Sequence, residues 1–552
     1  MTTLDWVVLF AWILFLVSYG LWRGRHSGNV NQFLLAGKSM PWYAMGLSIM
    51  ATQASAITFV STTGQGFADG MRFVQFYFGL PIAMVILSAT AVPIFHRAKV
   101  YTAYEYLEQR FDVKTRSLVT VIFLIQRGLG AGIALAAPAI VMSVVLGWPF
   151  QATTMVMGGL VILYTTLGGI KAVTHADVQQ MMMIMAALIF ALVMAVTMLP
   201  ADVSFFDAVK LAGAAGRLNA VDTHFDWNNR YNLWSGLIGS TFLMLAYFGT
   251  DQSQVQRYLT GKSIGQSRLG LLLNAMAKVP VQFFILFIGT MVFVFFLFTK
   301  PPLLFHPTEM KRIAQTAEQS GLETRYQQAF DERQNAARRV IREGEPAMPD
   351  FRAAEMKMET IRSEAQKLSP DSDTNYIFLS FVTTYLPRGL VGLILGVIFT
   401  AAMSASSGEV NSLATVSMVD IYRRHLHRDA SDAHYLLWSR LFTVFWGIYA
   451  VVFANFARGF GALIEVVNQV GSLFYGSMLG VFILAFFFKR VGGTAAFSGV
   501  LVGQAVIFAV ARFTPIAYLW YNVIGAVAVV LGAVLINLAL KQTASQRSRK
   551  AA

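Results

Sequence analysis

The feature that most constrains this chain is the repeated return of apolar runs long enough to cross a lipid bilayer. "LDWVVLFAWILFLVSYGLW" opens the sequence, and comparable runs recur to about residue 540. A spanning helix needs roughly 20 consecutive apolar residues. Thirteen runs meet that need, near residues 4–22, 42–66, 74–95, 117–146, 150–169, 176–199, 232–255, 271–298, 376–420, 434–455, 461–488, 494–512 and 516–540. The ninth is long, and a separate short helix is expected at its start, around 375–386. Only 13% of the 552 residues are charged, against about 25% in soluble domains. The expected fold class is an all-α integral membrane protein of about 13 transmembrane helices.

The formal net charge of +14 follows the same logic. Membrane proteins hold Lys and Arg on the cytoplasmic side, so the excess points to orientation rather than to nucleic acid. One set of connections is rich in them: Arg23, Arg25 and Lys38; Arg97, Lys99 and Arg116; Arg257, Lys262 and Arg268; Arg423, Arg424 and Arg428; and the tail "KQTASQRSRKAA". The alternate short connections are poor in them. That pattern predicts an outside N-terminus and a cytoplasmic C-terminus in a multi-pass protein of the cell (inner) membrane. The opening run has no basic n-region and no small-residue cleavage site, so it reads as a retained span and not a signal peptide. The absence of cysteine excludes disulfides, thiolate metal sites and cysteine nucleophiles. Residues 300–373 stand apart. "MKRIAQTAEQSGLETRYQQAFDERQNAARRVIREGE" predicts one or two water-exposed helices on the outer side, broken at "EGEPAMPD". They form either a plain solvated insertion or a lid or docking element.

Where the apolar runs are interrupted, chemistry is expected. The second run, "WYAMGLSIMATQASAITFVSTTGQGF", is crowded with Gly, Ser and Thr. Such an interruption marks a discontinuous helix whose freed carbonyls hold a small cation, or a tight packing surface of small residues. The seventh ends "MLAYFGTDQSQVQRYLTGKS", with a break at Gly249 and Thr250 before Asp251. Breaks five spans apart suit two inverted five-helix repeats. Arg127 lies deep in the fourth run. A charge there costs about 2.5–3.5 kcal/mol on insertion scales, so it needs an internal acid or an anionic substrate. Glu409, in the ninth run, is expected to pair with a base such as Lys278. Asp177 reads as the first carboxylate of the sixth span, complementing the helix dipole. No HExxH, P-loop or GxGxxG pattern occurs, and no nucleophile, base and acid lie at one depth. Neither an enzyme nor an ATP-driven pump is expected, and any pumping must run on an ion gradient.

Six stretches, in order, are "NQFLLAGKSMPWYAMGLSIMATQASAITFV", "YTAYEYLEQRF", "GGIKAVTHADVQQ", "YFGTDQSQVQRYLTGKS", "AAMSASSGEVNSLATVSMVDIYRR" and "GSLFYGSMLGVFILAFF". Together they resemble the sodium:solute symporter family. The resemblance covers most of the chain outside 300–373. It implies a leucine-transporter-type core of five-plus-five inverted repeats. Residues 1–41 then hold an extra N-terminal helix and loop, and 42–199 the first repeat. Residues 200–299 hold a loop and spans seven and eight, 300–373 the insertion, and 374–488 spans nine to eleven. Spans twelve and thirteen and a short basic tail fill 489–552. The resemblance also implies a sodium site made by the carbonyls of Ala51, Ala54 and Ala401 and the hydroxyl of Ser404, with Asp177 nearby. The family's second hydroxyl is Ala405 here. That departure leaves water, Ser406 or Ser407 to complete the oxygen set that a hard cation prefers. By the same resemblance Gln53, Ser55 and Tyr247 line or gate the solute cavity, while Ile57 and Met244 stand where sugar carriers use polar groups. With Arg127, this favours a carboxylate-bearing solute.

The expected function is secondary active transport by alternating access. It is a cation-coupled symport of a small organic solute, with sodium as coupling ion and no other cofactor. The alternatives are a proton-coupled carrier of the same fold and a non-transporting solute sensor. The implied partners are sodium, the solute and the lipid bilayer, with no nucleic acid and no obligatory protein partner.

Overall fold

The computed structural model describes residues 1–24, 29–53, 58–313, 319–369, 373–457 and 463–551. Among them every regular element is helical, apart from one isolated bridge between Met40 and Gly261. The principal helices are α1 (Thr3–Gly24), α2 (Trp42–Gln53), α3 (Thr63–Ala68), α4 (Leu80–Ala89), α5 (Ala103–Arg110) and α6 (Val113–Leu146). They continue as α7 (Phe150–Thr197), α8 (Ser240–Gly249), α9 (Gln252–Leu259), α10 (Ile264–Phe298), α11 (Gln319–Glu343) and α12 (Met348–Lys367). The last five are α13 (Leu390–Val416), α14 (Asp432–Phe456), α15 (Leu463–Phe487), α16 (Gly493–Phe513) and α17 (Leu519–Ala551).

Ten helices among the described residues are long and apolar enough to cross a membrane. The other expected spans take different forms. The fifth and sixth are one helical path, α7, bent where Gly169 adopts φ 60 and ψ −176. That backbone region is essentially open to glycine alone. Asp177 therefore lies two turns beyond a kink, inside a helix and buried, and is not a capping carboxylate. The second span is seen as α2 up to Gln53 and as a π-helical turn, Thr58–Thr62, that leads into α3, and the break expected around 54–57 lies outside the described residues. The seventh is interrupted between α8 and α9. Thr250 leaves helical geometry and Asp251 starts a new helix, its carboxylate accepting the Ser253 N–H at 2.9 Å. A carboxylate at this position satisfies backbone donors that a continuous helix would have paired. Before the ninth span a separate helix, Ile377–Tyr385, ends ahead of Pro387, as the sequence suggested.

Burial sorts the helices into an inner set and a rim. In the span Leu390–Leu426, which contains α13, 89% of the most apolar stretch is buried, against 22% in the spans containing α1, α14 and α17. The inner helices therefore carry the polar chemistry, and the rim helices present apolar side chains outward. α1 is tied to α13 by polar contacts. Asp5 accepts the Gly389 N–H at 2.6 Å, and the Trp12 indole donates to the Thr400 hydroxyl at 3.0 Å.

The polar insertion forms the hairpin α11–α12, which turns at Gly344 with φ 76. Tyr326, Phe330, Met358 and Ile361 give it a small core of its own. It is also docked. Glu355 is shared by Arg217 and Arg333, at 3.4 and 2.9 Å, and Arg362 meets Asp373 at 2.9 Å.

Candidate functional site

A cavity of about 80 Å³ lies where α2, α6, α8, α13 and α15 meet, well under the roughly 300–1,000 Å³ of ordinary ligand pockets. Its polar wall includes Gln53, Gln126, Arg127, Tyr247, Glu409 and Tyr475. Arg127 is buried at the centre of an ion-paired group. Its guanidinium donates to the Asp251 carboxylate, to the Tyr475 hydroxyl at 2.8 Å and to Glu409 at 3.0 Å. The Tyr247 ring stacks on it, 5.5 Å from the guanidinium carbon to the ring centroid. Tyr475 also donates to Asp251 at 3.0 Å. Of the two partners expected for Arg127, the structure supplies internal acids, and two of them. Glu409 thus pairs with Arg127 and not with Lys278. The Lys278 ammonium lies over the Tyr77 ring at 5.2 Å and has no hydrogen-bond partner among the described residues. Helix periodicity fixed the direction in which Glu409 points but not which neighbouring base it meets.

A second cluster forms around Asp177. One carboxylate oxygen accepts from the Ser404 hydroxyl. The other accepts from Ser48 at 2.5 Å and from Arg257 at 2.7 Å, and Arg257 also donates to Ser48. All four residues are buried. The expected pair, Asp177 and Ser404, is therefore brought together. Ala51 and Ala401 are buried on α2 and α13, which pack against each other. Ser407 and Ser406 are buried on α13 with hydroxyls that have no partner among the described residues. Ala405 faces the cavity instead. Ala54 and Ser55 lie outside the described residues, as does Ile57.

Arg257 is the residue that sequence reasoning missed. It was counted among the loop cations, yet it is 1% exposed and carries an ion pair in the interior. Gly408 makes room for it, since a Cβ there would sit 2.5 Å from Arg257 Nη2. A signal was present: "QSQVQRYL" follows Asp251 and sets Val255, Tyr258 and Leu259 on one face, an apolar face at i, i+3 and i+4 that draws the helix, and Arg257 with it, into the interior. Arg116 was likewise counted as a loop charge, and it is buried against Asp420 at 2.6 Å. Among the described residues no group of three or more His, Cys, Asp or Glu is placed to hold a metal ion. A cation site here would be built from hydroxyls and carbonyls.

An all-helical membrane bundle with an interrupted helix beside an ion-paired cavity is the architecture of a solute carrier. The chain belongs to the sodium:solute symporter family, whose model matches residues 33–322 and 364–503. The unmatched stretch between those segments falls in the α11–α12 hairpin. The chain is similar to the sodium-coupled monocarboxylate transporter 1 of Xenopus laevis, with 26% identity over 510 residues covering 92% of this chain and 71% of the relative. It is similar to the sodium/sialic acid symporter NanT of Aliivibrio fischeri, with 25% identity over 542 residues covering 96% and 92%. Its fold matches a substrate-bound outward-open state of a Na+-coupled sialic acid symporter, with a TM-score of 0.76, 22% identity and 98% of each chain covered.

Proposed function

We propose that this chain is a secondary active carrier in which inward sodium flow drives uptake of a small, carboxylate-bearing organic solute. It sits in the cell (inner) membrane with its N-terminus outside and its C-terminus in the cytoplasm. Residues 42–199 form one five-span repeat, spans seven to eleven form the other, and 300–373 is an outer insertion. The sodium-coupled monocarboxylate and sialic acid carriers among its relatives support both the ion and the carboxylate.

The observation that carries this reading is the Ser404 hydroxyl donating to Asp177 next to α2. A hydroxyl ligates a cation through its lone pairs, so its proton must point elsewhere. Asp177 takes that proton and leaves Ser404 Oγ free to face a cation. The carbonyls of Ala51, Ala54 and Ala401 supply further oxygens, and Ser407 replaces the hydroxyl missing at Ala405. Arg257 already meets the other oxygen of Asp177, so Asp177 positions the site and is not a direct ligand. The solute lies beside this site, between Gln53, Ser55 and Tyr247, in the cavity whose wall also holds Arg127 with its two internal acids.

Sodium bridging α13 and α2 stabilises one state, solute binding permits the repeats to rock, and sodium leaves on the dilute side. One charge crossing about 100 mV releases roughly 2.3 kcal/mol, and a tenfold sodium gradient adds about 1.4 kcal/mol. Together they support roughly 500-fold accumulation per sodium. The test is solute uptake into proteoliposomes under imposed sodium or proton gradients. Asp177→Ala and Ser404→Ala are expected to abolish sodium-driven uptake. Full sodium-driven uptake in either variant removes the site, and uptake that follows protons while ignoring sodium makes Ala405 the mark of a proton-coupled carrier.

A further inference from the structure

The second half of the second span is held from two sides, and the two grips are unequal. On the cavity side, α3 and the turn before it meet the start of α15. There the Ile464 N–H donates to the Ser61 hydroxyl and the Gln65 amide to Glu465, each at 3.3 Å. Ile464 lines the central cavity, so this seam is part of its wall. Glu465 is bound more closely elsewhere, accepting from Arg230 at 2.6 Å and from Tyr231 at 2.9 Å. On its other side α3 meets the α11–α12 hairpin, and Arg217 is the rivet. Its guanidinium donates to the Ala68 carbonyl at the end of α3, and to Glu359 and Glu355 of α12 at 2.5 and 3.4 Å. Its own carbonyl accepts the Met71 N–H at 2.9 Å. Gly70 permits that approach, with φ 72 and no Cβ to collide with the same carbonyl. Arg362 of α12 lies over the Phe67 ring, 5.6 Å from its centroid.

We propose that the hairpin anchors α3, so that the cavity opens on the hairpin's side by parting α3 from α15, with Arg217 as the positioning residue. The bonds across the seam are longer than usual and correspondingly weak. The Arg217 contacts to Ala68 and Glu359 are charge-assisted, the stronger kind. When α15 moves, the seam therefore yields before the rivet does. Without the rivet, α3 is free to follow α15 and the seam stays shut. Glu355, Glu359 and Arg362 lie in the stretch that the family model leaves unmatched, so the grip comes from this chain's insertion. This inference rests on the reading of the chain as an alternating-access carrier.

The test is thiol labelling of the full-length protein in membrane vesicles with a membrane-impermeant maleimide. The chain has no cysteine, so an introduced thiol reports without background. Asn468→Cys places one on the cavity wall, a turn beyond Ile464 on α15. Met356→Cys places one on the exposed face of α12. Vesicles of the orientation that labels Met356→Cys are used, so the result does not depend on which side the hairpin faces. Arg217→Gln is expected to slow the labelling of Asn468→Cys about tenfold, the worth of a charge-assisted hydrogen bond, and to leave that of Met356→Cys unchanged. Glu359→Gln is expected to slow it in the same direction, and because this side chain is half exposed the substitution does not threaten the fold. Adding it to Arg217→Gln is expected to change nothing further, since both remove one contact. Unchanged or faster labelling of Asn468→Cys in both variants overturns the proposal, as does a lower melting temperature with unchanged labelling, the mark of a merely structural contact. So does an Asn468→Cys that is never labelled with Arg217 intact. Sodium-driven uptake is a separate readout. Its absence removes the symport reading, while the labelling rates still decide whether the seam is anchored.

Discussion

Arg127 shows how a single residue sets the limits of the interior. Its guanidinium holds Asp251 and Glu409 together in a water-poor site, and removing one member of a buried ion pair leaves charge uncompensated. Arg127→Met is expected to destabilise the protein by about 3–5 kcal/mol, read as a lower melting temperature in detergent. Adding Glu409→Gln to that variant is expected to recover part of the loss, because one of the two orphaned carboxylates is gone. A double variant no more stable than the single would mean that Glu409 does not belong to the group. Much of the candidate site was legible at this scale. Arg127 and Glu409 are ionisable groups inside apolar runs, where a charge is costly unless it is paired. Ser404 and Asp177 came from motif resemblance and are found hydrogen-bonded. Arg257 was illegible because a charge count treats every Arg near a span end as solvated, and α9 is a span end that folds back into the interior.

Among the elements, α7 is the one the sequence described least well. Two apolar runs separated by "LGGIKAVTHA" were read as two helices with a loop between them. The structure keeps the helical path and concentrates the turn into Gly169. Short connections of this kind leave no polar segment long enough to register as a loop. The break in the seventh span was easier, since Gly249 and Thr250 followed by Asp251 weaken a continuous helix. Gly169→Ala is expected to cost about 1–3 kcal/mol from the strained backbone alone. A Cβ there would also approach the Phe33 ring at 2.9 Å. Because Asp177 lies two turns beyond the kink, the same substitution should lower sodium-driven uptake along with thermal stability. Unchanged values of both would show that another residue can hold the bend.

The whole molecule is held differently at the two ends of α13. On the side where it starts, the α11–α12 hairpin packs against the bundle, Arg333 donating to the Phe296 carbonyl at 2.7 Å and Gln334 to the Phe298 carbonyl at 3.0 Å, next to the contact of Phe295 with Tyr385. The polar composition foretold one or two helices there but not this docking, because charges such as Arg217 and Glu359 read the same whether solvated or paired. Beyond its far end a knot of charges closes the bundle. Glu108 of α5 meets Arg424 at 2.6 Å and Arg116 at 2.7 Å, and Arg116 reaches Asp420. The hydrogen bond from Arg424, then Arg116, holds the Glu108 carboxyl down at about 2, despite partial burial. A carboxylate whose folded value is depressed stabilises the fold above its ordinary value and loses that contribution as pH falls. The contribution of Glu108 is therefore complete above about pH 4.5 and drains away between there and about 2. Melting temperature should fall across that acid window in the unaltered protein. Glu108→Gln should start lower at neutral pH and fall less steeply below pH 4.5, because the group that titrates has been removed. If both proteins lose stability in parallel through the window, the knot is held by Asp420 and Arg116 without Glu108. Either result separates what closes this end of the bundle from what docks the hairpin at the other.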